Sequence, residues 1–205
     1  MNENKNPYTL ITGAGAGLGK AFAFECAKQK MNIILVSLWG EKLKELCHHL
    51  AGEYHIKARY FETDLTKKKS ILDLHQWITD NNLPVNMLIN NAGTGGSMPF
   101  DRSDIDYIDR IIMLNIRALS LLSRLLISEL KKHPKSYILN VSSMTAYSPI
   151  PYKTVYPASK AFVYSFSRSL REELKHSSIN VCVMNPGPIL TNADVLERIK
   201  RQGWL

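Results

Sequence analysis

Short apolar runs that alternate with helical patterns constrain the fold of this chain more than any other feature of its sequence. Such alternation is typical of βαβ units, which place parallel strands in one sheet with helices on both faces. The sequence therefore predicts an α/β fold, with a doubly wound parallel sheet in a three-layer α/β/α arrangement. The predicted strands are 8–12, 32–37, 57–63, 85–90, 136–142 and 179–185, and the predicted helices are 20–30, 41–50, 70–79, 104–131 and 158–175.

Length and composition predict one domain without a membrane span. The 205 residues, 45% of them hydrophobic, can bury one core, and no linker or repeat divides them, so we expect a single domain over 1–205. The most apolar long stretch, 111–130, is interrupted by Asn115, Arg117 and Arg124, which argues against a transmembrane helix. The polar N-terminus lacks the apolar core of a signal peptide. Three cysteines without metal spacing fit free thiols, and we expect a cytoplasmic protein.

The formal net charge of +8 raises the question of nucleic-acid binding. The positive residues are scattered, and they lack both aromatic interleaving and a helix-turn-helix pattern. We therefore expect solvated basic faces and no nucleic-acid partner, although a basic surface can attract a phosphorylated cofactor. The six histidines show no ligand pairing near the glycine or tyrosine motifs, so no metal site is expected.

Small or polar residues end all six predicted strands, as at Ser37, Asp64 and Asn90. In an open parallel sheet the carboxyl ends of the strands line one edge, and ligands bind there at the switch point of the strand order. One such ending has no meaning by itself, because loops are rich in these residues. Six in succession predict a binding crevice.

A glycine-rich turn follows the first predicted strand and opens the first helix. Glycines allow a tight turn and a close approach of the backbone to a pyrophosphate, which then lies on the helix N-terminal amides. The position of this turn, directly between a strand and a helix near the N-terminus, favours dinucleotide binding over a merely flexible loop. The residues concerned are Gly13, Gly15, Gly17, Leu18 and Gly19.

Six motifs in order along the chain resemble those of the short-chain dehydrogenase/reductase family. The resemblance implies a Rossmann-like fold, an NAD(P)-dependent oxidoreductase and a carbonyl or alcohol as the small-molecule substrate. The family normally continues through a further helix and a seventh strand, so this chain is expected to lack the last strand. The motifs are Thr12-Gly-x-x-x-Gly17-x-Gly19, Asn90-Asn91-Ala92-Gly93, Asn115, Ser143, Tyr156-x-x-x-Lys160 and Pro186-Gly187-x-x-x-Thr191.

The same resemblance implies four catalytic residues. Tyr156 would exchange a proton with the substrate oxygen, and Ser143 would hydrogen-bond that oxygen. Lys160, one helical turn from Tyr156, would hold the nicotinamide ribose and lower the pKa of the tyrosine by roughly 1–3 units. Asn115 would maintain a water-linked proton path to Lys160. Without the other motifs, Ser143 would be interpreted as a turn residue, and Asn115 as a residue that forms a hydrogen bond between two helices.

The resemblance also assigns contacts along the cofactor. Asp64 and Leu65 would lie at the adenine end, and Tyr156 and Lys160 would join the nicotinamide end. The remaining assigned residues lie along the middle of the cofactor or around its nicotinamide amide: Asn91, Ala92, Gly93, Pro186, Gly187, Ile189 and Thr191.

The nicotinamide preference depends on the residue after the second strand. An acid there binds the ribose 2′-hydroxyl and repels a 2′-phosphate, but this chain has Ser37, followed by Leu38. The basic residues of many NADP-binding relatives are missing too, both at position 38 and at Ala16. Ser37 can hydrogen-bond a phosphate, with Lys42 or Lys20 as possible helpers. The sequence favours NADP(H) and does not exclude NAD.

Two other functions remain open at this point. A dinucleotide-binding redox sensor could use the same fold without catalysis, although the intact catalytic set argues against it. A sugar-nucleotide epimerase or dehydratase also uses Tyr-x-x-x-Lys, but those relatives have another glycine loop and a large second domain.

Substrate and assembly are predicted in outline only. Five residues fall where relatives line the substrate site and suggest an apolar ketone, although core packing would explain most of them as well. The apolar surface on helices 104–131 and 158–175 exceeds what one sheet-facing stripe can bury, so a homodimer or homotetramer is expected. The five substrate-site residues are Met98, Met144, Tyr147, Tyr152 and Leu190.

Overall fold

A computed structural model of the chain describes residues 6–187, and within them six strands form one parallel sheet. The strand order is β3-β2-β1-β4-β5-β6. The first three strands extend from the middle of the sheet to one edge and the last three to the other, so the switch point of the strand order lies between β1 and β4. This is the order of dinucleotide-binding sheets, and the predicted α/β class is confirmed. The strands are β1 (Tyr8–Thr12), β2 (Asn32–Ser37), β3 (Ala58–Glu62), β4 (Val85–Asn90), β5 (Ser136–Val141) and β6 (Ile179–Met184).

The helices follow the prediction with shifted ends. The first helix begins at Gly17, three residues before its predicted start, because its first turn is built from the glycine loop. The longest predicted helix contains a π-helical turn, Met113–Ala118, which separates α4 from α5. The helices are α1 (Gly17–Lys28), α2 (Leu43–Tyr54), α3 (Lys68–Asp80), α4 (Ile105–Ile112), α5 (Leu119–Leu130) and α6 (Val155–Glu173).

The sheet separates two hydrophobic cores. On one face α1 and α2 pack against side chains such as Ile33 and Leu35, and on the other α3, α5 and α6 pack against Ile34 and Leu88. Successive residues of a strand point to opposite faces, so β2, with all six residues buried, contributes to both cores. Residues 57 to 63 were predicted as one strand, but only Ala58–Glu62 pair. They form an edge strand with two exposed residues.

One long helical segment, Ile105–Leu130, is apolar enough to cross a membrane by length and composition, with a mean hydropathy of 1.6 over its best 18-residue window. In the fold it covers the sheet instead. Leu122, Leu126 and Leu130 are buried in the core, and Asn115 is hydrogen-bonded inside the site described below. The core helix of a globular domain passes the same test, and these contacts assign the segment to that class.

Candidate active site

The glycine loop lies at the switch point between β1 and β4. Gly13 and Gly17 have left-handed backbones, with φ of +64° and +51°, which side chains rarely adopt. A Cβ on Gly19 would collide with the carbonyl oxygen of Gly13, so the helix can fold back onto the turn only with glycine there. The N-cap, Ala16, provides no side-chain cap, and the first turn of α1 has no acidic residue. Its N–H groups therefore offer a site for an anion.

A threonine hydroxyl joins this loop to the end of β4. Thr12 Oγ1 accepts hydrogen bonds from the backbone N–H groups of Asn91 and Ala92, each at 3.0 Å. In return, Asn91 Nδ2 donates to the carbonyl oxygens of Thr12 at 2.9 Å and Gly13 at 3.2 Å. The two predicted cofactor segments are thus held side by side as one rigid edge.

Asp64 and Leu65, expected at the adenine end, differ in their surroundings. Asp64 Oδ1 accepts two hydrogen bonds from Thr66, at 2.9 and 2.7 Å. Desolvation raises the pKa of Asp64, but the Thr66 hydrogen bonds, with Lys67 and Arg110, lower it overall. The Leu65 side chain is buried in the core, so only its backbone can face a ligand.

Ser37, at the end of β2, is not free to receive a phosphate. Its hydroxyl donates a hydrogen bond to the carboxylate of Glu41. A Cβ on Gly15 would collide with the same carboxylate, which shows that Glu41 lies across the glycine loop. The sequence has no acid at the end of β2, and the part played by Glu41, four residues further on, was not predicted from it. The turn residues Gly40 and Lys42 have φ of +84° and +54°, and this turn was not read from the sequence.

The predicted catalytic residues come together at the other end of the same edge. Tyr156 and Lys160 lie in the first two turns of α6, and Pro157 is accommodated because it too is in the first turn. The Ser143 hydroxyl accepts a hydrogen bond from the Thr145 N–H at 3.2 Å and lies close enough to the Tyr156 phenol to lower its pKa, while Lys160 Nζ lies 5.7 Å from the centre of the tyrosine ring. Three side chains from two elements therefore surround one small space.

Burial governs the protonation of this group. Burial raises the pKa of Tyr156, and the Ser143 hydrogen bond offsets only part of that rise. Burial also lowers the pKa of Lys160 to about 8. The sequence predicted that Lys160 lowers the pKa of Tyr156, whereas in the structure burial is the largest effect on that pKa, and Lys160 Nζ donates to the Val141 carbonyl oxygen at 2.9 Å.

Asn115, in the π-helical turn, fixes the loop that passes over these residues. Its amide exchanges two hydrogen bonds with the Thr94 backbone, both at 2.9 Å, and its Nδ2 also donates to Ser159 Oγ at 2.9 Å. Ser159 Oγ in turn donates to the Tyr156 carbonyl oxygen at 2.7 Å. A Cβ on Gly93 would lie 3.2 Å from Asn115 Oδ1 and 3.3 Å from Lys160 Nζ. Ser159 was not singled out from the sequence, because its role depends on this long-range contact.

The segment after β6 borders the catalytic group on its far side. The Pro186 carbonyl oxygen accepts a hydrogen bond from the Met144 N–H at 3.0 Å, and a Cβ on Gly187 would lie 3.2 Å from the Met144 sulfur. The predicted nicotinamide contacts Ile189 and Thr191 lie outside the described residues.

Apolar side chains lie near Tyr156, and Met98, Phe100 and Tyr152 line one cleft together with it. Met98 N–H donates to the Tyr152 carbonyl oxygen at 2.8 Å, and Tyr147 packs edge-on against Tyr164 at 5.0 Å. These side chains are largely solvent-exposed although apolar, which core packing would not produce. The set is Met98, Phe100, Met144, Tyr147 and Tyr152, while Leu190 lies outside the described residues.

Residues 7–202 of this chain match the protein family that is described as short chain dehydrogenase. The chain belongs to this family. It is 33% identical over 195 residues to the very-long-chain 3-oxoacyl-CoA reductase of Anas platyrhynchos, with 93% of this chain and 62% of the relative covered. It is 32% identical over 188 residues to human 17-beta-hydroxysteroid dehydrogenase type 3, with 90% of this chain and 59% of the relative covered. The chain thus spans about three fifths of the length of these curated relatives.

Solved structures of the family share the fold. A short-chain dehydrogenase from Sphingobium yanoikuyae in complex with NADPH has a TM-score of 0.85 and 29% identity, with 94% of this chain and 74% of that chain covered. L-sorbose reductase from Gluconobacter frateurii, complexed with NADPH and L-sorbose, has a TM-score of 0.88 and 25% identity, with 97% and 75% covered.

The site residues of this chain fit a nicotinamide dinucleotide. The uncapped α1 N-terminus and the glycine positions that a Cβ would obstruct leave backbone against which a pyrophosphate can lie. The Asn91–Gly93 segment continues this surface toward Lys160.

Proposed function

We propose that this protein is an oxidoreductase that interconverts a carbonyl and an alcohol with NADP(H). The observation that carries the proposal is the convergence of Ser143, Tyr156 and Lys160 on one space at the sheet edge that also holds the glycine loop. When bound, the reduced nicotinamide supplies the hydride that the carbonyl carbon accepts.

Tyr156 is the proton donor in the reducing direction. Because burial raises its pKa, the phenol stays protonated at neutral pH and can give its proton to the substrate oxygen. Ser143 donates a hydrogen bond to the same oxygen and stabilises the negative charge that develops there. In the oxidising direction Tyr156 takes the proton back.

Lys160 and Asn115 support this proton transfer. With a pKa of about 8, Lys160 is mostly protonated at neutral pH and can hold ribose hydroxyls while favouring the phenolate. Asn115 positions α6 through Ser159 and holds the loop at Thr94, and we propose that it also supports a water-linked path to Lys160.

The cofactor-binding set is proposed as predicted from the sequence, except for Ser37, whose hydroxyl is hydrogen-bonded to Glu41. Backbone groups of the glycine loop and of Asn91–Gly93 would contact the dinucleotide, with Asp64 at the adenine. Two solved relatives carry NADPH, which supports NADP(H) here.

A bulky apolar ketone is the proposed substrate class. The exposed apolar ring around Tyr156 offers contacts to a hydrocarbon, and two curated relatives are named for acyl-CoA and steroid substrates. Met98, Phe100 and Tyr152 line one cleft with Tyr156, and Lys153 also lines it.

Assembly, compartment and domain extent are also proposals. Ile112 and Phe162 are over a third exposed, on α4 and α6 respectively, and Ile105 is 79% exposed, which supports pairing of these helices across a two-fold axis. All three cysteines are free, which supports a reducing compartment such as the cytoplasm. We propose one domain for residues 1–205.

A panel of ketones with long acyl or fused-ring skeletons, incubated with NADPH, tests the proposed function. Loss of reduced nicotinamide absorbance should match alcohol formation one to one, as measured by mass spectrometry. Tight NADPH binding with no conversion of any ketone would instead favour the non-catalytic redox sensor.

A further inference from the structure

We propose that Glu41 weakens the preference of this chain for NADP(H) over NAD(H), by placing a carboxylate where the 2′ substituent of the adenosine ribose lies. The proposal rests on the proposed function, because it concerns the cofactor of that reaction. It adds a specificity residue that the sequence pattern does not reveal.

Two independent contacts locate the carboxylate. It accepts a hydrogen bond from the hydroxyl of Ser37, the last residue of β2, and it lies against Gly15 in the glycine loop. In dinucleotide-binding sheets the pyrophosphate lies on the glycine loop, and an acid about 20 residues further on binds the ribose 2′-hydroxyl. Glu41 meets both conditions of place and spacing, although it stands beyond the end of β2.

The turn that carries Glu41 is built to direct it there. Gly40 and Lys42 on either side have left-handed backbones, which turn the chain back toward the strand end. Lys42 adopts this conformation although its Cβ disfavours it. Leu38 and Trp39, earlier in the turn, are 50% and 63% exposed and leave the other side of the turn open to solvent.

The two cofactors meet Glu41 differently. A ribose 2′-hydroxyl can donate a hydrogen bond to the carboxylate in its present position. A 2′-phosphate brings like charge to the same place, so NADP(H) binds only after the Glu41 side chain turns away from Ser37. Glu41 therefore weakens NADP(H) binding without preventing it. It narrows the difference in affinity between NADP(H) and NAD(H).

Fluorescence titration with NADPH and NADH separately tests the proposal on the whole chain. Glu41→Gln keeps the size and hydrogen-bonding capacity of the side chain and removes its charge. We expect NADPH to bind about tenfold more tightly to this variant and NADH to change by less than about threefold. Glu45→Gln, exposed in the first turn of α2, removes the same charge four residues further along the chain and should change neither affinity.

Competition with adenosine phosphates isolates the ribose from the nicotinamide end. Adenosine with both 2′- and 5′-phosphates should gain affinity for Glu41→Gln, whereas adenosine 5′-monophosphate should not. An unchanged NADPH-to-NADH affinity ratio in Glu41→Gln overturns the role of Glu41 and leaves the proposed function standing. Failure of the unaltered chain to bind either cofactor overturns both.

Discussion

The two ends of the site are formed by different groups of the chain, mainly backbone at one end and side chains at the other. At the adenosine end, backbone groups of the glycine loop and of the segment after β4 form the surface, and side chains mainly hold them in place. At the catalytic end, side chains from the loop after β5, the π-helical turn and α6 form the site that we propose carries the reaction. The difference teaches that binding tolerates many side chains, whereas the reaction requires particular ones in particular places.

At the catalytic end, a substitution of Lys160 should cause the largest combined loss of turnover and cofactor affinity. Lys160→Ala removes both the cation beside Tyr156 and a ligand of the ribose, so turnover should fall by roughly two to four orders of magnitude. Cofactor affinity should fall as well. Steady-state kinetics and a binding titration together check the prediction, and an active Lys160→Ala would remove Lys160 from the mechanism.

The adenosine end should be most sensitive at Gly19. In Gly19→Ala the new Cβ collides with the Gly13 carbonyl, so the turn must shift and cofactor affinity should fall by at least about tenfold. Gly52→Ala is the matched control, because a Cβ there meets nothing within 4 Å. It should raise stability by roughly 0.5–1 kcal/mol, since alanine favours helix over glycine. Equal cofactor affinities in the two variants would contradict the proposed cradle.

Burial of Lys160 should appear in the pH dependence of stability. Its pKa falls from 10.5 to about 8 on folding, so the unfolded chain binds more protons between these values. The contribution of Lys160 to the free energy of unfolding should therefore increase as pH rises from 8 to 10.5. Lys160→Met, which cannot carry charge, should be stabilised by about 3 kcal/mol at pH 7 and by little at pH 10.5. Urea unfolding at both pH values measures it, and a pH-independent difference would speak against a buried charge.

The smallest effect is expected outside both ends of the site. Phe162 stacks on Phe166 at 5.8 Å and is 38% exposed on α6. Phe162→Glu should convert the proposed dimer to a monomer and lower turnover severalfold, because α6 also carries Tyr156. Light scattering measures the mass. A monomer in the unaltered protein would contradict the assembly.

The sequence predicted the adenosine end through its backbone. The glycine spacing and the alternation of strands reflect steric rules that act locally, so β1, β2 and β4 were predicted to the residue. The helix ends were less accurate, as at Gly17, because the glycine turn continues directly into the helix.

The parts that were missed depend on contacts between distant residues. Glu41 reaches the Ser37 hydroxyl through a turn with left-handed backbones at Gly40 and Lys42, and no local pattern predicts where that turn directs a side chain. Ser159 acquires its role from Asn115, 44 positions away in sequence. The orientation of Lys160 toward Val141 is likewise a tertiary effect.

Tyr156→Phe tests the division between the two ends most directly. The change removes one hydroxyl from the catalytic end and leaves the adenosine end untouched. With NADPH titration and ketone turnover measured on the same preparation, we predict that cofactor affinity stays within about threefold and that turnover falls by roughly two to four orders of magnitude. Turnover close to that of the unaltered chain would contradict the account.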